Sequence, residues 1–214
     1  KISILILFTN LFSQSIFQFL NQSSDAKTMA FLNGASTMPS NIISANPASV
    51  STEILTFRIT QIKLPADINI NEISFINNWK NGAIFGRIKS ANYGKIIDGI
   101  NNKETDANDV VIEVGYKTNY LNLISIGITS GYLTSQIAEA SSTGIFTSIG
   151  MRCSFINNRI GVGVSFNNIG TQLDYYNNTP EPLPTMLRMG FYFIPRYIPV
   201  TLSFDIIENT IENE

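Results

Sequence analysis

From residue 54 onward, apolar and polar side chains alternate with a period of two. Leu55, Phe57 and Ile59 interleave with Thr56, Arg58 and Thr60. Val110, Ile112, Val114 and Tyr116 enclose Glu113, Gly115 and Lys117 on the other parity. Ile124, Ile126 and Ile128 repeat the pattern, as do Ile149, Met151, Cys153 and Phe155. It is cleanest late in the chain, at Ile160-Val162-Val164-Phe166, Leu187-Met189-Phe191-Phe193 and Val200-Leu202-Phe204-Ile206. Period two over several residues is the signature of a strand with one apolar face. Weaker strands fall at residues 68–79 and 82–90, which makes about nine in all. Asn- and Gly-rich turns such as Asn78-Trp79-Lys80-Asn81-Gly82 and Asn157-Asn158-Arg159 separate them and predict antiparallel hairpins. Residues 91–108, 133–144 and 168–184 read as longer connections, expected to be extracellular loops.

The second face decides the architecture. A soluble β-sandwich also alternates, but its solvent face usually carries many charges. Here that face is mostly Gly, Ser and Thr, and charged residues are 14% of the chain against about 25% in an ordinary soluble domain. This composition predicts an all-β fold, an antiparallel transmembrane β-barrel whose apolar face meets lipid and whose small polar face lines the lumen. Arg58, Glu113, Lys117, Arg152 and Arg188 share the polar parity and read as a lumenal salt-bridge network. The competing reading makes them the solvated charges of a sandwich. Tyr116, Tyr132, Tyr192 and Tyr197 lie at or near predicted strand ends, where interfacial aromatics belong, although Tyr is common in any strand.

The N-terminus has a different pattern. Lys1 precedes an apolar run from Ile2 to Phe12, and Ser13-Gln14-Ser15 supplies small residues two apart. This predicts a secretory signal over 1–15, cleaved near Ser15, with a buried N-terminal strand or helix as the alternative. The run is shorter than the roughly 20 residues of a spanning helix. No other segment is long and apolar enough, so a spanning form of this chain is a closed barrel. Residues 16–50 lack strand alternation and are expected to form a plug, with barrel strands over 51–214.

Candidate chemistry is sparse. The chain has no histidine, which removes histidine-dependent catalytic triads and histidine-containing metal sites. Cys153 is the one cysteine, so no intrachain disulfide forms. Asp98, Asp106 and Asp109 read as carboxylates of one solvated loop, and Gly94…Gly99 lacks a phosphate-binding spacing. The net charge of −2 offers no basic excess for nucleic acid. Neither an enzymatic activity nor a cofactor is expected.

Two stretches carry a family resemblance. Phe19-Leu20, Leu32-Asn33-Gly34-Ala35 and Asn46-Pro47-Ala48 follow one another after the leader. Downstream come Asn168-Ile169-Gly170, Leu183-Pro184 and Arg188-Met189-Gly190. In order and spacing they resemble the PorV/PorQ family of outer-membrane proteins, relatives of the FadL-type barrels whose N-terminal segment folds inside as a plug. Asn33-Gly34 stands where the family has Gly-Gly. Family members also have more strands, and the polar Glu208–Glu214 ending is unlike a closing barrel strand, so the chain reads as a C-terminally truncated barrel. The resemblance implies a bacterial outer-membrane location, outer-membrane lipid as solvent, and a role as a type IX secretion accessory that binds exported cargo or other secretion-system proteins. The alternatives are a FadL-like channel for hydrophobic small molecules and a secreted soluble sandwich. Asn46-Pro47-Ala48 also has its own physical logic. Pro47 fixes its φ and forces Asn46 out of the helical region, which frees the Asn46 amide to bond nearby backbone.

Overall fold

The computed structural model describes residues 17–23, 43, 46–51, 55–97, 104–120, 123–176 and 180–209. Residues 1–15, read as the leader, lie outside them, as do Asn33, Gly34 and Asp98. The described chain is all-β apart from two short 3-10 turns, Gln18–Asn21 and Pro47–Ser49. No helix among the described residues is long and apolar enough to cross a membrane, which leaves strands out of account.

Nine strands form one antiparallel sheet in strict sequence order. They are β1 (Thr56–Lys63), β2 (Asn69–Trp79), β3 (Gly82–Ile97), β4 (Glu104–Tyr120) and β5 (Ile124–Ile137). β6 (Ala140–Phe155), β7 (Ile160–Asp174), β8 (Met186–Phe193) and β9 (Leu202–Asn209) follow. The odd strand number makes β1 and β9 run in the same direction. They do not pair with each other, so the sheet is not closed among the described residues.

Strand number and facing agree with the alternation in sequence, but strand length differs. β3 continues to Ile97 and β4 starts at Glu104, so Asp106 and Asp109 are strand residues rather than parts of a loop. Only Ala138-Glu139 separates β5 from β6. Of the 168–184 stretch, residues 168–174 belong to β7. Beyond the apolar zone the bare face also turns polar, as at Asp106 and Asn108, and the period-two signal vanishes while the ladder continues.

The two faces differ sharply. On the bare face, side chains such as Phe57, Ile88, Ile126, Ile149, Val162 and Phe204 are exposed on every strand up to both edges. At about 4.8 Å per strand, nine strands spread this apolar surface over roughly 43 Å. Along β6 it extends from Ile145 to Phe155, matching the 9–11 residues or so that a tilted strand needs to cross hydrocarbon. A monomeric soluble protein rarely exposes so large an apolar surface.

The opposite face is covered by residues 17–23, 43 and 46–51. Its apolar residues gather in two clusters, one joining Phe17, Phe19 and Leu20 to Val111, Leu133, Phe146 and Leu183. The second joins Ile43 and Val50 to Ile76, Ala83 and Phe85. Large rings fit here because glycine faces them on the neighbouring strand. Phe85 lies over Gly115, Phe146 over Gly131 and Tyr192 over Gly161, each pair directly in register. Such pairs shield glycine backbone with a flat ring and let a sheet bend.

Candidate functional site

The covered face is the candidate site, because it holds most of the buried charge. At its centre, Arg87 on β3 pairs with Glu113 on β4, its cross-strand neighbour. Nε and Nη2 of Arg87 both lie 2.7 Å from Glu113 Oε2. Nη1 donates to the Ile43 carbonyl at 2.6 Å and lies 3.7 Å from Glu72 Oε2. Every nitrogen of the guanidinium therefore meets an oxygen, the condition under which a buried ion pair is tolerated.

Two lysines repeat the contact to the covering segment. Lys89 donates to the carbonyls of Phe19, at 2.6 Å, and Gln22, and its ammonium lies 4.1 Å from the Phe19 ring centre. Lys117 donates to the Val50 carbonyl at 2.6 Å. Three cations of the sheet thus hold the segment by its backbone. Such bonds are about twice as strong as neutral ones, and they satisfy carbonyls that have no ladder partner.

Asn46-Pro47-Ala48 docks in a hollow between β5 and β6. Gly127 and Gly150 are register partners there. A Cβ on Gly150 would collide with Asn46 Oδ1, and one on Gly127 with the Pro47 backbone. Asn46 Oδ1 accepts from the Ala48 N–H at 2.8 Å, capping the short turn. Its Nδ2 donates to the carbonyls of Met151 and Val164, both at 3.2 Å. The amide expected to bond nearby backbone therefore also joins the segment to β6 and β7.

The connection between β7 and β8 folds inward. Leu183 enters the cluster around Phe17 and Leu20. Asn168, at φ +59°, donates from Nδ2 to Asn21 Oδ1 at 2.7 Å and to the Pro184 carbonyl at 3.1 Å. The two stretches that carry the family resemblance thus meet in space, more than a hundred residues apart in sequence.

All five charges singled out in sequence lie on the covered face. Arg58, half-buried, shares a cross-strand row with Ser74, Arg87 and Glu113. Lys117 and Arg188 share another row, separated by Gly127, Gly150 and Ser165. Arg152 donates to the Tyr192 hydroxyl at 2.9 Å, and Arg188 to Met186 Sδ at 3.2 Å. Tyr192 is not an interfacial aromatic. It is fully buried and donates to the Asn158 carbonyl at 3.0 Å. Tyr116 and Tyr132 lie within strands.

Sequence reasoning missed Arg87, Lys89, Glu72 and Asp109. Asp109 is buried and accepts from the hydroxyls of Tyr93 and Ser135, which correct its assignment to a solvated loop. Tyr176, in the connection after β7, is held above the usual phenol range, first by burial and then by Asp109 and Glu181. The available signal was parity, since Arg87 and Lys89 alternate with Ile84, Gly86 and Ile88. Comparisons of the chain with protein-family models, with curated proteins and with solved structures give no match.

Proposed function

We propose that this chain is a non-enzymatic outer-membrane barrel protein of the PorV/PorQ kind, a type IX secretion accessory that binds cargo or other secretion-system proteins. The observation that carries the membrane reading is the bare face, apolar on every strand and wide enough to need lipid as its solvent. Backbone within hydrocarbon must be fully paired, so in the membrane the ladder is a closed barrel and the N-terminal segment is its plug. The accessory role is supported by the way that segment is held. Arg87, Lys89, Lys117 and Asn46 fix it at separate points, and Leu183 closes over Phe17 and Leu20, an arrangement suited to a permanent fixture.

The test uses a deletion strain complemented by the wild type or by Pro47→Gly in the full chain. Relaxing Pro47 costs roughly 1 kcal/mol through added unfolded-state freedom. Cargo in the medium should fall while uptake of hydrophobic solutes stays constant. Altered uptake with normal secretion overturns the accessory role in favour of a FadL-like channel. Recovery of the protein in the soluble fraction overturns the membrane reading.

A further inference from the structure

The two ends of the sheet carry opposite charge. At one end lie the β1–β2, β3–β4, β5–β6 and β7–β8 connections. Exposed Asp67, Glu104, Asp106, Glu139, Asp174 and Glu208 stand there against exposed Lys63 and Lys95, among the described residues. At the other end, among the described residues, the charged side chains of the turns are Lys80, Arg159 and Arg196. Arg159 and Arg196 are on adjacent turns, since the Ile194 N–H donates to the Arg159 carbonyl at 2.7 Å.

The basic end is also aromatic. Trp79 and Phe155 close their strands exposed, and Tyr197 is 87% exposed beside Ile198 in the β8–β9 connection. Arg196 lies 5.6 Å from the Tyr197 ring centre. A polar turn in water has no use for exposed Tyr197-Ile198. At the edge of an apolar belt the same residues fit the headgroup layer, where amphipathic rings settle.

We infer that this end is a docking surface for anionic phospholipid headgroups, with Lys80, Arg159 and Arg196 contacting phosphate and Trp79, Phe155 and Tyr197 anchoring at the interface. The inference rests on the membrane reading above. Charge complementarity chooses the occupant, because the opposite end would repel such headgroups. A basic residue held at an anionic surface contributes about fivefold in partitioning, and salt screens that gain.

Trp79 is the only tryptophan and reports the result directly. The full chain is mixed with phosphatidylcholine vesicles with or without phosphatidylglycerol, and its emission shift and quenching by brominated lipid are followed. The wild type should favour the phosphatidylglycerol vesicles, and added salt should weaken that preference. Arg159→Gln with Arg196→Gln should reduce the preference roughly fivefold per cation removed. Lys95→Gln, at the acidic end, should leave it unchanged. Tyr197→Ser should weaken partitioning into both vesicle types equally. Equal wild-type insertion into both lipids, or a preference that survives the double substitution, overturns the docking surface and spares the membrane reading. Failure to enter either vesicle overturns both.

Discussion

Val162 and Gly161 are neighbours on β7 with opposite surroundings. Val162 is on the bare face beside Phe191, its partner on β8, with no polar contact to satisfy. Gly161 lies beneath the ring of Tyr192, whose hydroxyl is bonded on both sides. The bare face requires only that a side chain be apolar. The covered face requires particular atoms at particular places. One face is therefore specified by composition and the other by geometry, and substitutions should divide the same way.

The largest expected effect is on the covered face. Glu113→Ala removes the main partner of Arg87 and leaves Glu72 at 3.7 Å, and breaking a buried pair costs about 3–5 kcal/mol. Denaturant titration of Glu113→Ala, and of Glu113→Leu with Arg87→Met, checks this. The double variant should recover most of the loss, and if it does not, the pair is more than a matched burial.

Next comes a charge on the bare face. Val162→Lys or Phe191→Lys should cost about 2–4 kcal/mol near a bilayer midplane and reduce membrane assembly, read by envelope fractionation. Val162→Leu should stay within about 0.5 kcal/mol, as surface changes usually do. Equal tolerance of Lys and Leu would remove the distinction between the faces.

Smaller is the hollow under the segment. Gly150→Ala places a methyl group against Asn46 Oδ1, and overpacking of this kind costs about 1–3 kcal/mol. Amide exchange should quicken at residues 46–50 while β2 and β3 stay protected. Of the same order is Asn46→Ala, which loses the cap and the two bonds to the Met151 and Val164 carbonyls, at roughly 1 kcal/mol each. Limited proteolysis should cleave near residue 46 sooner.

The same division explains what the sequence made legible. Alternation at Ile160–Phe166 and Leu187–Phe193 reveals strand and face together, because a one-residue slip would reverse every side chain. Asn46-Pro47 was legible because its turn chemistry is local. Arg87 and Lys89 were obscured in a strand where Gly82-Ala83 and Phe85-Gly86 blur the alternation. Asp109 was obscured because Asn108, Asp106 and Thr105 extend polarity to both faces. Which cation meets which carbonyl depends on how the segment lies across the sheet, and no spacing along the chain encodes that.

The covering segment also orders events in time. Asn46 bonds to Val164 across 118 residues, and Asn21 bonds to Asn168 across 147. Hairpins such as β2–β3 close over a two-residue turn and can form as soon as both strands exist, whereas the segment has no seat until β5, β6 and β7 stand side by side. Closing so long a loop costs entropy that only the completed seat repays. The segment is synthesised before the strands yet finds its place after them, and until then Phe17, Phe19 and Leu20 travel uncovered.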